Sequence, residues 1–412
     1  MAVRHGYGKV ATNGLVFAYD TGDTVNSYKG EPTENLIPNP YFIDGNGNPT
    51  VSGYGTFGFS HDNTIAATSL PSAIGNGYSA RVVKNTTTNG TIVESVTIPA
   101  LNTGDTVVVS WYAKGYGGSE SQTCQTHCYV NSSGGAVSTG TFSTVTSEWK
   151  RFYHVLTWTK EVPSNTSANS YFYSGFGTGT EFQVANPQVE VYKAHPTQFV
   201  NGTRSVSGSL LDLTGLGGLD LTNVSFDSNA QIDFDGTGDY FDVEGVADFQ
   251  PNNTTDGFTV EFVYKLDTVS AAVFVGNLDS TNGWFQAPIS TSGIGAYLYL
   301  NGSPGVVLNT DVNFRTNSTN INKYHHVVMC LKWNDAANSF IMIDGVDKTN
   351  SRSNVSKQST SGIPSPGLRI GKRGSSVWPT NGQIPVVKYY NRALTADEVR
   401  NNYRHYKNRF NI

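Results

Sequence analysis

Gly14-Leu-Val-Phe-Ala-Tyr-Asp20 is a short apolar strand without a partner near it, because turn-rich polar residues follow as far as Lys29-Gly-Glu-Pro32. The pattern to which it belongs resumes only near Val200-Asn-Gly-Thr-Arg204. Between about Glu34 and Val200 the chain carries its own set of strand and turn signals. Strands are expected at Tyr78 to Val83, Thr91 to Ile98, Thr106 to Ala113, Trp149 to Trp158, Ser170 to Tyr173 and Phe182 to Tyr192. Asn102-Thr-Gly-Asp105 and Pro163-Ser-Asn165 supply turns between them.

Composition agrees with this pattern. The 412 residues include 44 Gly and only 14% charged side chains, with 12% aromatic residues, which suits short strands joined by turns and disfavours a helical protein. That length suggests two large domains. The net charge is −5 and Lys and Arg are scattered, so the basic stripe needed for nucleic acid is missing. No apolar run is long enough for membrane insertion, and Met1-Ala-Val-Arg-His-Gly-Tyr-Gly lacks the apolar centre of a signal peptide. Three cysteines are too few for a disulfide framework. Cys124 and Cys128 belong on one face of a strand and His127 on the other, which argues against zinc at Cys124-Gln-Thr-His-Cys128.

Two resemblances sharpen the domain reading. Asn35-Leu-Ile-Pro-Asn-Pro40, Trp111-Tyr-Ala-Lys114, Trp149-Lys-Arg151, Gln188-Val-Glu190 and Phe199-Val-Asn-Gly-Thr-Arg204 resemble the carbohydrate-binding-module-like jelly rolls of bacteriophage virion proteins. Ile232-Asp-Phe-Asp-Gly-Thr-Gly-Asp-Tyr240, Phe258 to Tyr264, Tyr324-His-His-Val-Val328, Phe340-Ile-Met-Ile-Asp-Gly345, Leu368-Arg-Ile-Gly371 and Ile384 to Thr395 resemble laminin-G-like, concanavalin A-like jelly rolls. In the latter family a strand like Gly14 to Asp20 sits just ahead of a segment like Leu211-Asp-Leu-Thr-Gly215. The resemblance therefore implies that residues 34–200 are inserted. The expected fold is all-β, with two β-sandwich jelly-roll domains, the first inserted into the second: residues 1–33 and 201–412 form the outer jelly roll. A short C-terminal helix, begun by Thr395 and Glu398 at capping-box spacing, closes the chain.

Candidate chemistry is sparse. Asp242 and Glu244 share a strand face with Cα atoms about 6.6–6.8 Å apart, a spacing compatible with a retaining glycosidase pair. Phe241 and Val243 make that face more simply the solvated side of a strand, and no Gly-x-Ser-x-Gly elbow is present. Catalytic residues are therefore expected to be absent. Asp233, Asp235 and Asp239 crowd a Gly-rich turn and are the candidate calcium ligands, although aspartates also favour such turns for their own backbone bonding. His325 shares a face with Val327, Met329 and Leu331 and is expected in the core.

Sugar binding needs aromatic faces with polar partners. Trp284 and Trp378, placed near turns by Gly283 and Pro379, are the first candidates, joined by Trp149, Trp158, Tyr171 and Tyr173. The expected protein is a non-enzymatic phage virion surface component, a head fibre, decoration protein or tail-associated adhesin, with weak glycan binding. A purely structural virion component and a glycan-cleaving enzyme are the alternatives. Its expected partners are other virion proteins and cell-surface or environmental glycans, with homo-oligomerisation compatible; calcium is the one cofactor the residues suggest. Its expected place is the virion surface, after assembly in the host cytoplasm.

Overall fold

The computed structural model describes residues 10–57, 59–61, 77–84, 90–116, 123–130, 135–136, 143–174, 181–215, 218–219, 221, 224–226, 231–244, 256–268, 272–276, 283–288, 293–300, 303–310, 320–353, 368–372 and 378–412. The chain divides into two compact units, residues 1–31 with 206–412, and residues 32–205.

In the first unit the strand Leu15–Asp20 finds its partner at the far end of the chain, pairing antiparallel with the last strand, Asn381–Tyr390. The same edge of that last strand pairs with Ile232–Asp235, while its other edge pairs with Gly257–Leu266. Tyr324–Lys332, Phe340–Ile343 and Val346–Asp347 extend the sheet outward, and Ser225–Phe226 closes its opposite end. A second antiparallel sheet runs Gly218–Leu219, Phe241–Glu244, Leu368–Ile370, Val275–Gly276, Gly283–Pro288, Ile294–Leu300, Ser303–Thr310 and Thr349–Arg352.

Alternation decides what faces inward. Phe258, Val260, Phe262 and Tyr264 enter the inter-sheet core with Val327, Met329 and Leu331, and meet Phe241, Val243, Leu368 and Ile370 from the other sheet. Phe17 and Tyr19 belong to that same core, so the N-terminal strand contributes packing as well as hydrogen bonds.

The outer face of the first sheet is covered by the helix Ala396–Phe410. Its start is fixed by reciprocal bonds between Thr395 and Glu398, and its end by Asn411 in the left-handed conformation. Val399 packs on Val328, Cys330 and Met342, while Tyr406 and Phe410 pack on Val263 and Val386. Between these apolar patches lies a buried ionic network. Glu261 accepts from His326 Nε2 at 3.0 Å and from Asn402 Nδ2 at 2.6 Å, with Lys388 Nζ at 3.5 Å and the Tyr390 hydroxyl at 3.2 Å. Burial pushes the Glu261 carboxyl up, but Lys388, His326 and Asn402 outweigh it and hold it at about 2. Asn402 Oδ1 in turn accepts from the amide of Ala11, so the N-terminal segment is tied to the helix.

The second unit is also a sandwich. One sheet runs Ser143–Thr144, Thr123–Val130, Thr166–Ser174, Gly90–Ile98 and Gly55–Phe57, with Gly135–Ala136 on Thr123–Val130. The other runs Lys150–Thr157, Thr106–Tyr116, Glu181–Val191, Ala80–Lys84 and Phe59–His61. Thr33–Glu34 pairs with Thr203–Arg204, which brings the two ends of the unit together. Trp111, Phe172, Phe182, Cys124 and Cys128 fill the core. Trp158, a candidate sugar platform in the sequence, is only 2% exposed and packs there as well, because its alternation continues that of Leu156. Both cysteines face inward, and burial pushes their thiols up to about 12. His127 lies on the opposite face beside Tyr171, as strand alternation requires.

Replacing Lys388 by Met leaves the Glu261 charge buried without its main counter-charge, so urea unfolding should show a loss of about 3–5 kcal/mol. Because the Glu261 carboxyl lies lower in the folded chain than in the unfolded one, the stability it contributes is complete above its unfolded value near 4.5 and declines as pH falls toward about 2. Acid titration of the wild type should show this loss, and Glu261→Gln should lack it.

Candidate functional site

The second unit carries an open strand face built around Trp149. In the strand Thr106–Tyr116, Trp111 and Ala113 point into the core, so Tyr112 and Lys114 point outward. Lys114 lies opposite Gln183, and Gln183 lies opposite Arg81 on the next strand. Trp149 immediately precedes the edge strand Lys150–Thr157, and the Lys114 ammonium sits over its ring, 5.4 Å from the centroid. Four neighbouring strands therefore place in one row an indole, an ammonium, the buried amide of Gln183 and a guanidinium. At about 4.8 Å per strand the row spans about 14 Å.

Tyr112 and Trp149 pack together over Ala185. Farther along the edge strand Tyr153, 53% exposed, and Val155 extend the apolar stripe on the same face. Arg81 is held by Glu181 at 2.7 Å. Tyr112, Lys114, Trp149 and Arg81 are all half-buried, which leaves ring faces and polar tips accessible.

The remainder of this face is closed by the segment 193–204, laid across it as a strap. Thr197 donates from its hydroxyl and its amide to Glu190, and Arg204 bonds Thr197 Oγ1 and the Gln198 carbonyl. Arg151 turns beneath the strap, donating to the Thr197 carbonyl and, at 2.9 Å, to Ser110 Oγ. Asn35 Oδ1 accepts from the Val189 amide, and its side-chain nitrogen donates to the carbonyls of Pro187 and Val200. Thus Asn35, Gln188, Glu190, Thr197 and Arg204, which carry much of the resemblance to virion jelly rolls, work as a clasp. They hold no ligand-facing position.

The other sequence candidates are dispersed. Tyr171 stands on the opposite sheet of this unit, its ring 6.2 Å from that of His127, its partner in register, with Asn169 two residues along its own strand and opposite Ser95. Tyr173 is two residues along the same strand, but its side chain lies outside the described residues. Trp149 and Tyr171 therefore occupy opposite faces and cannot form one platform. In the first unit, Trp284 lies within the strand Gly283–Pro288, opposite Leu298, instead of the loop expected from Gly283; its side chain lies outside the described residues. Trp378 is half-buried outside any strand with φ of 57°, a left-handed conformation uncommon for a bulky residue, and its carbonyl accepts from the Val273 amide at 2.9 Å.

The aspartate turn serves itself. Asp235 Oδ1 accepts from the amides of Thr237 at 2.7 Å and Gly238 at 3.1 Å, bonds that pull its carboxyl down to about 2. Asp239 Oδ2 accepts from the Asp235 amide at 2.9 Å. Asp233 sits in the strand Ile232–Asp235, opposite Ser225 and Gln383. Asp235 Oδ1 and Asp239 Oδ2 are thus engaged by backbone donors of their own turn, and among the described residues no three His, Cys, Asp or Glu side chains come together to hold a metal ion.

Asp242 is held by Arg369 through two bonds of 2.7 Å, and Arg369 in turn lies 4.4 Å from the Tyr240 ring centroid. A carboxylate so engaged is poorly placed to act as nucleophile or base; the side chain of Glu244 lies outside the described residues. His325 is buried and pairs through Nδ1 with Asp344 at 2.8 Å.

The profile of the family described as "Concanavalin A-like lectin/glucanases superfamily" matches residues 235–400. No curated protein matches the chain by sequence. Among solved structures, the chain is similar to the botulinum neurotoxin serotype D binding domain, at 14% identity and a TM-score of 0.38, over 48% of each chain. It is similar to botulinum neurotoxin type C at 15% identity and a TM-score of 0.38, over 48% of this chain and 49% of that one. It is also similar to the Trypanosoma rangeli sialidase at 18% identity and a TM-score of 0.34, over 47% of this chain and 30% of the enzyme. The chain thus spans about half the length of the toxin structures it matches.

Glu94 stands apart from both faces. It points inward opposite Ser170, is 6% exposed, and its Oε2 has no partner among the described residues. Burial raises its carboxyl from 4.5 to about 7. Folding therefore takes up a proton between those values: stability is greatest below the unfolded value and falls as pH rises to about 7. Glu94→Gln should flatten this dependence and raise stability at pH 8 by about 2–3 kcal/mol, measured by urea unfolding across pH. The two antiparallel sheets give the first unit a jelly-roll β-sandwich fold, and the residues that match the concanavalin A-like profile, 235–400, lie within it.

Proposed function

We propose that this chain is a non-enzymatic binding protein whose second unit holds carbohydrate on the Trp149 face. One observation carries the reading: Trp149, Lys114, Gln183 and Arg81 stand in a single row on a strand face, with Tyr112 beside them. An indole supplies a flat apolar surface against which the C–H face of a sugar can stack, and half-buried polar side chains stand beside it. The rigid strands fix this spacing before any ligand arrives, which reduces the ordering cost of binding. The family matched by residues 235–400 of the first unit is named for lectins and glucanases, whereas the Trp149 face of the second unit rests on its own geometry. The engagement of Asp242 by Arg369 supports a protein that binds without cleaving.

We place this activity on the surface of a bacteriophage virion, as a head fibre, decoration protein or tail-associated adhesin. The resemblance borne by Asn35 to Pro40 and Phe199 to Arg204 supports that setting. A shallow face of this kind binds weakly per site, and many copies on one particle would make it effective through multivalency. A structural virion component is the second reading, favoured by the exposure of Tyr153 and Val155, which another subunit could cover.

A glycan array probed with the full chain separates the two readings. Carbohydrate binding predicts saturable signals that Trp149→Ala weakens by at least about tenfold. The same variant should keep its unfolding transition, because the ring lies outside the core. Absence of binding by a multivalent form, together with a Trp149→Ala change in self-association measured by sedimentation, would support the structural reading instead.

A further inference from the structure

We infer that the sugar taken by the Trp149 face carries an anionic group, and that Lys114 selects it; this rests on the carbohydrate reading above. The argument comes from how the cations on that face are used. Arg81 is engaged with Glu181 at 2.7 Å. Arg151 is turned under the strap and donates to Thr197 and Ser110. Lys114 differs from both: its cross-strand neighbour is the uncharged Gln183, and its contact is the ring of Trp149. Among the described residues no carboxylate pairs with it.

The position of this ammonium gives it meaning. It is 5.4 Å from the indole centroid, on a central strand whose backbone is bonded on both sides, so it is held at the margin of the surface on which a sugar ring would stack. A neutral sugar there would leave the ammonium facing water. A carboxylate or sulfate on the stacked ring would meet it in a charge-assisted bond. A partly exposed pair of this kind contributes up to about 1 kcal/mol, which corresponds to about fivefold in affinity. Lys114 would thus act on selectivity while the aromatic residues supply most of the binding.

The test uses the full chain and four immobilised polymers: polygalacturonate, its carboxyl-reduced neutral form, a neutral dextran and sulfated dextran. Wild type should bind polygalacturonate or sulfated dextran up to about fivefold more tightly than the matching neutral polymer, and added salt should reduce that advantage. Preference for one of the two acidic polymers identifies carboxylate or sulfate as the group recognised. Lys114→Gln should abolish the preference for the acidic polymer over its neutral form, whereas Trp149→Ala should weaken binding to both. Equal binding to acidic and neutral polymers, or a Lys114→Gln variant that keeps the wild-type ratio, would overturn this inference while leaving the carbohydrate reading intact. Failure to bind any of the four, or binding indifferent to Trp149→Ala, would overturn both.

Discussion

The pairing of Leu15–Asp20 with Asn381–Tyr390 is the constraint on which the outer sandwich depends. It places the first described strand beside the last, so the sheet centre is complete only when both ends of the chain have come together. Tyr19 shows how tightly the join is made: its ring is in the core, while its hydroxyl bonds the Ile384 carbonyl at 2.7 Å. Ala11, farther toward the N-terminus, is held by Asn402 of the helix. Such long-range pairing is slow to form because loop closure precedes its reward. Within that unit, the backbone bonds Lys29 N to Ser209 O and Leu211 N to Ser27 O bring the two flanks of residues 32–205 side by side. A long stretch of chain can therefore leave and return at one point without disturbing the sheet.

The second unit solves a different problem, that of a polar strand face partly covered by its own chain. Glu190, Gln188 and Ser110 are fully buried on that face, which would be costly if they were left without partners. The segment 193–204 meets them with Thr197, Arg204 and local carbonyls, and this demand fixes where the strap lies. What the strap leaves open is the row from Trp149 to Arg81. The proposed binding face is thus defined as much by the clasp beside it as by the residues within it.

Period-two alternation made much of this legible in the sequence. It separates Cys124 and Cys128 from His127, assigns His325 to the core, and marks the all-β class; Thr395 and Glu398 likewise signal the helix start. The same alternation, applied to Trp111 and Ala113, points Tyr112 and Lys114 outward, although nothing local tells that Lys114 will face Gln183. That adjacency depends on register between strands about 70 residues apart. The network of Glu261, His326, Lys388 and Asn402 is hidden for the same reason. Trp158 misleads in another way, since a tryptophan near a strand end looks like a site until its neighbours are known. Here the tryptophan is core.

Hydrogen exchange of the full chain, compared with and without a bound glycan, tests the central claim most directly because it locates the ligand without altering a residue. The account predicts added protection in Thr106–Tyr116, Lys150–Thr157 and Glu181–Val191, the strands that carry Tyr112, Lys114, Trp149 and Gln183. Protection confined to Thr123–Val130 and Thr166–Ser174, or to the segments around Trp284 and Trp378, would contradict it.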